Sequence, residues 1–145
     1  MYRSRLAVLL VICVGLPGVA SASLDSFLSG VNVQARADLP GFHATVSAQF
    51  GVPVPQVEAV LGMVAAPADA FMVFQLGQMT HRPPETVVQT YQAHKGQGWG
   101  VIAKKLGIKP GSREFHALKN GDLVYGTAAP SSRGTGKGKG KGHSK

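Results

Sequence analysis

From Pro40 to Asn120 the chain carries proline where apolar runs begin and glycine where they end, and within the runs apolar residues return every three or four positions. That spacing is the period of an α-helix buried along one face; a strand would alternate every second residue. Proline fits a helix's first turn, where its missing N–H is no loss, and glycine takes the left-handed conformation that caps the other end. The punctuation predicts an all-α fold: a compact bundle of about five or six short helices.

The runs can be placed individually. Leu39, Phe42, Val46 and Phe50 form one stripe, with Pro40 in the first turn and Gly51 as cap. Pro53 and Pro55 open a second helix with Val57, Val60, Leu61 and Val64 on one face, which Pro67 stops. Ala68 to Met79 is apolar on nearly every side through Phe71, Met72, Val73, Phe74 and Leu76, the mark of a helix enclosed by its neighbours, so this run is the predicted centre of the core. Pro83 and Pro84 open a fourth helix with Val87, Val88 and Tyr91 inward, ending near His94, and Gly96 and Gly98 make the break. A fifth carries Trp99, Ile102, Ala103 and Leu106, capped by Gly107. Ser112 is a natural N-cap for a short sixth helix holding Phe115 and Leu118, which Asn120-Gly121 ends. Ser23 to Asp38, with Phe27, Leu28, Val31 and Val33, reads as a short helix, with an extended arm as the alternative.

The two ends read differently. Arg3 and Arg5 precede an apolar run from Leu6 to Leu16, then Pro17-Gly18 and the small-residue site Ala20-Ser21-Ala22, which together predict a secretory signal peptide over residues 1–22, cut after Ala22. The run is about half the roughly 20 residues a bilayer span requires, so no transmembrane segment is expected. The only cysteine, Cys13, lies inside that run behind Ile12, which does not suit lipidation, and would leave with it. A periplasmic or secreted protein without disulfides must then be held by its core. Residues 126–145 alternate glycine with lysine from Gly136 to Gly142 and hold almost no apolar side chain, a composition that predicts disorder.

The formal net charge of +8 looks like that of a nucleic-acid binder, but much of it sits at the termini. Arg133, Lys137, Lys139, Lys141 and Lys145 carry +5 with no acidic residue among them, whereas residues 23–125 hold eight Lys or Arg against seven Asp or Glu. A basic folded domain is therefore not the source of the high pI. Extended, the tail presents a lysine about every 7 Å, enough to follow an anionic polymer without a register. At roughly 1 kcal/mol per basic residue near an anionic surface, five charges supply on the order of 3 to 5 kcal/mol before ordering costs. Any polyanion affinity is thus expected after Tyr125.

Constellations for chemistry are sparse. His43, His81, His94 and His116 stand far apart with no i, i+4 pair, and His143 is alone in the tail, so a metal site would have to assemble in space. The seven carboxylates are scattered singly, and no Gly-x-Ser-x-Gly elbow or His-Glu-x-x-His pair occurs. Gly96-Gln97-Gly98-Trp99-Gly100 follows a helix rather than a strand and places a tryptophan where a phosphate would need close backbone approach. The turns at Gly51 and Gly107 echo one another and resemble a helix-turn-helix, yet Gln56 to Leu61 offers no basic side chain and Arg113 and Lys119 share their helix with Glu114. Sequence-specific nucleic-acid binding is not expected. Trp99, Lys104, Lys105, Lys109 and His116 are the most concentrated unusual residues: either an aromatic and cationic binding face, or an inward tryptophan with solvated lysines opposite.

The stretch from Gly98 to Lys119, GWGVIAKKLGIKPGSREFHALK, together with Asn32 to Asp38 and Phe50-Gly51-Val52-Pro53, resembles a pattern in small exported bacterial proteins of unknown function. The resemblance covers most of the chain after Ala22 and implies export and a shared fold; it brings no activity and no cofactor. The reading is therefore a non-enzymatic exported helical interaction protein, with the tail as an electrostatic tether to an unknown protein or anionic envelope polymer. A periplasmic metal-handling or stress-response accessory using the histidines is the alternative.

Overall fold

The computed structural model describes residues 23–126. The expected leader at residues 1–22 and the tail cations Arg133, Lys137, Lys139, Lys141 and Lys145 lie outside them. Among the described residues there are seven helices and no strand, 70% of the residues being helical. They are α1 (Leu24–Ala37), α2 (Leu39–Phe50), α3 (Val54–Leu61), α4 (Pro67–Thr80), α5 (Pro84–Ala93), α6 (Trp99–Lys105) and α7 (Arg113–Asn120). None of them is long and apolar enough to cross a membrane.

Helix α4 is the axis of the bundle, packing against α1, α2, α3 and α5, while α6 bridges α5 to α7 and α7 returns to α1. The reason lies in its composition: Ala68, Ala70, Phe71, Met72, Val73, Phe74, Leu76 and Gly77 are all buried, so only the narrow side that carries Gln75 and Gln78 reaches water. Phe71 is the hub of an aromatic cluster, with ring centroids 5.5 Å from Phe27 and Phe50 and 5.9 Å from Tyr125.

The caps follow local chemistry. The hydroxyl of Ser112 accepts from the Phe115 amide, Ser23 accepts from Ser26 at the head of α1, and Asp38 accepts from Gly41 at the head of α2. Helix α4 begins without a cap of its own, and Asn32 of α1 supplies one, its Oδ1 accepting from the Ala68 amide at 2.8 Å. Four helices end in the same left-handed turn, in which the amide just after the left-handed residue returns to a carbonyl of the last turn: Val52 to Ser47, Arg82 to Gly77, Ile108 to Ala103 and Asp122 to Ala117. Glycine fills the left-handed position at 51, 107 and 121; His81 fills it in α4 and is the only described non-glycine with positive φ.

Three details differ from the sequence reading. Ser23 to Asp38 is a full helix of 14 residues rather than a short one or an arm, which raises the total to seven. Its inner side holds Val31 and Ala35, whereas Val33 points out at 65% exposure. Leu39, counted on the inward stripe of α2, is 45% exposed because it stands at the head of the helix, ahead of the turn that meets the core. Helix α3 stops at Leu61 under Gly62, so Val64 packs from the connecting loop instead of from the helix.

The last described segment is tied down. Gln49 Nε2 donates to the Val124 carbonyl at 2.7 Å, and its Oε1 accepts from the Gly126 amide at 3.0 Å. Tyr125 stacks on Phe42 with centroids 5.8 Å apart.

Candidate functional site

The residues expected to form a binding face are separated by the fold. Trp99 heads α6 and is only 8% exposed. Its ring stacks on Tyr91 at 5.2 Å, and its Nε1 donates to Asp69 Oδ1 at 3.2 Å. Tyr91 donates its hydroxyl proton to Asp69 Oδ2 at 3.1 Å and accepts from the Ala65 amide at 3.3 Å. One carboxylate in the first turn of α4 therefore fastens α5 and α6 to the core. The neighbouring depression of about 250 Å³ has this bonded cluster, Asp69, Tyr91 and Trp99, as one wall and Lys95, Gly96 and Gly98 as the other. Trp99 is a structural anchor whose ring is not presented for stacking on a ligand.

Burial pushes the Tyr91 hydroxyl above the ordinary tyrosine range, and the Asp69 charge adds to this, while its bond from the Ala65 amide opposes it. Burial also raises Tyr125, with a contribution from Asp38. A phenol whose folded value is raised keeps its proton in the native state after the unfolded chain has lost it. Its stabilising contribution is complete below about pH 10 and declines as pH climbs through the folded value. Urea unfolding at pH 9 and pH 11 should show that loss, and Tyr91→Phe, less stable at pH 9, should lose less on going to pH 11. An equal alkaline loss in both proteins would contradict this role for Tyr91.

Lys104, Lys105 and Lys109 are exposed, at the end of α6 and in the turn beyond it. His116 is exposed on α7 beside a different depression, which it shares with Gln75, Met79 and Arg113. Two cations outside the face expected from sequence, Arg82 and Arg113, join the lysines. Arg82, from the turn after α4, lines with Lys109 a groove of about 500 Å³ floored by Met79, Leu106 and Ile108. Arg113, at the start of α7, stands across Met79 and Glu114 from them. Counting charge by position in the fold would have found both.

The near-neutral total of the domain conceals a division. From Ser23 to His81, Arg36 stands alone against Asp25, Asp38, Glu58 and Asp69, a net −3. From Arg82 to Gly126, Arg82, Lys95, Lys104, Lys105, Lys109, Arg113 and Lys119 face only Glu85, Glu114 and Asp122, a net +4. All seven cations are exposed, and none lies within ion-pair distance of a carboxylate; the one such contact among the described residues is His43 Nδ1 to Glu58 Oε1 at 3.4 Å.

Compared with protein families, with curated proteins and with solved structures, the chain matches none. The site has to be read from its own chemistry. Among the described residues no three His, Cys, Asp or Glu side chains converge as metal ligands would. His43 Nε2, on α2, and His94 Nδ1, at the C-cap of α5, are buried without a hydrogen-bond partner, and neither has a set of further ligands around it. The chemically distinctive features are therefore cationic: the α6–α7 surface within the described domain and the lysine tail beyond it.

Proposed function

We propose that the chain is an exported, non-enzymatic helical interaction protein, periplasmic or secreted, whose glycine–lysine tail tethers it to an anionic component of the cell envelope. The observation that carries this is the layout of charge. A domain of net +1 over residues 23–126 is followed by five cations and no anion, on a segment too poor in apolar side chains to bury itself. The clamp of Gln49 on Val124 and Gly126 supports it, because it fixes the end of the described domain, so that a partner held by the following residues would not pull on the helices directly. Processing after Ala22 is compatible with the fold: it would spare Ser23, the N-cap of α1, and every helical residue.

Alternating glycine and lysine offers charge without a reading geometry, so recognition would be electrostatic and salt-sensitive. Replacing Lys137, Lys139 and Lys141 by Gln in the full chain should remove most of the binding to lipopolysaccharide, with an unchanged thermal melt. Undiminished binding by that variant would sink the tether reading.

A further inference from the structure

We propose that the exposed cations of α6, α7 and the turn after α4 form a second docking surface on the folded domain, for a flexible phosphate-bearing polyanion held at the same time by the tail. This rests on the tether reading and extends it to the domain. Lys104 and Lys105 close α6, Lys109 lies in the following turn, Arg113 opens α7, and Arg82 reaches the same groove from the α4–α5 turn. Arg82 and Lys109 thus line one groove from two chain segments, Arg113 lines the depression that shares Met79 and Glu114 with it, and Lys104 and Lys105 stand five and four residues before Lys109. Where these cations stand within a Debye length of about 8 to 10 Å their potentials add, and Glu114, which borders the groove, and Asp122, which lines the depression with Arg113, offset part of them.

A surface shaped for solubility alone intersperses the two signs. Here four of the seven carboxylates stand before Arg82 and the cations that follow go unpaired, so the arrangement carries self-repulsion that an anionic partner would relieve. The partner is better a polymer than a bilayer. Among the described residues the large exposed apolar side chains are Val33, Leu39, Met63 and Val124, all outside the stretch from Arg82 to Asn120, so this stretch presents no large exposed apolar side chain to insert among acyl chains. A flexible polymer can follow the groove between Arg82 and Lys109 instead. The 19 residues after Gly126 reach up to roughly 65 Å when extended, against a radius of gyration of about 13 Å for a domain of this size. Tail and face can therefore hold one polymer together, each raising the effective concentration of the other.

The test uses the full chain and inorganic polyphosphate as the probe, with affinity measured across a salt series. Lys104→Gln/Lys105→Gln/Lys109→Gln should weaken binding about tenfold and flatten the slope of log affinity against log salt by roughly 2, at about 0.7 to 0.9 per lost phosphate contact. Arg82→Gln/Arg113→Gln, an independent pair on the same face, should act in the same direction. Arg36→Gln, from the acidic half, should change little. If both face variants bind as the parent does while Lys137→Gln/Lys139→Gln/Lys141→Gln loses binding, this inference fails and the tether stands. If the face variants lose binding and the tail variant does not, the tether reading fails. Loss by the face variants on anionic phospholipid vesicles but not on polyphosphate would overturn the choice of a polymer.

Discussion

Replacing Phe71 by alanine should cost about 3 to 5 kcal/mol, the usual range for emptying a buried phenylalanine site. The upper end is expected because this ring has no exposed edge and meets Phe27, Phe50 and Tyr125 from three other elements. Those partners belong to α1, α2 and the terminal segment, which cannot all move inward at once to close the void. For a domain with about 5 to 15 kcal/mol of total stability this is a large fraction. Urea unfolding of Phe71→Ala measures it, and Phe71→Leu, which refills much of the volume, should recover over half of the loss. A Phe71→Ala protein within about 1 kcal/mol of its parent would mean that α4 is not the centre of the core.

The second large effect is expected at Gly121, where two independent costs coincide. Its φ of +71° is one that a side chain tolerates poorly, at roughly 1 to 2 kcal/mol. A Cβ there would also lie 2.7 Å from the Ser23 carbonyl oxygen and 2.9 Å from the Ser23 carbonyl carbon. These are backbone atoms at the head of α1, so relief requires α1 or α7 to shift, at a further 1 to 3 kcal/mol or so. Gly121→Ala should therefore lose about 2 to 5 kcal/mol. Gly51→Ala has a similar φ but open space around the added carbon, and should lose only the conformational part. Equal losses at the two positions would show that the contact between α7 and α1 contributes nothing.

Local signals were legible wherever the physics is local. Helix α4 could be recognised as central because a helix apolar on every side has nowhere else to sit, and Ser112, Gly51, Gly107 and Gly121 cap as their chemistry requires. The N-terminal helix was harder because Val33 drew attention from Ala35, a small residue that reaches zero exposure only because another helix approaches it. Contacts between distant positions left no local trace. Asn32 capping α4, Asp69 receiving both Trp99 and Tyr91, and Gln49 gripping the terminal segment each join residues at least 22 positions apart. The aromatic and cationic face read around Trp99 was half legible for the same reason: exposure of the lysines follows from helical period, but burial of the tryptophan depends on Asp69, thirty positions away. The division of charge was present in the sequence all along, hidden by a total that nearly cancels.

The tether proposed for this chain is electrostatic and resides chiefly in the tail. Its most direct measurement is the affinity of the full chain, and of the chain ending at Gly126, for one anionic polymer between about 50 and 200 mM salt. The full chain should lose affinity steeply over that range. The shortened chain should bind on the order of 100-fold more weakly at the low-salt end, with a shallower slope set by the α6–α7 cations and the same thermal melt. A shortened chain that binds as tightly as the full one, or binding that does not respond to salt, would contradict the claim.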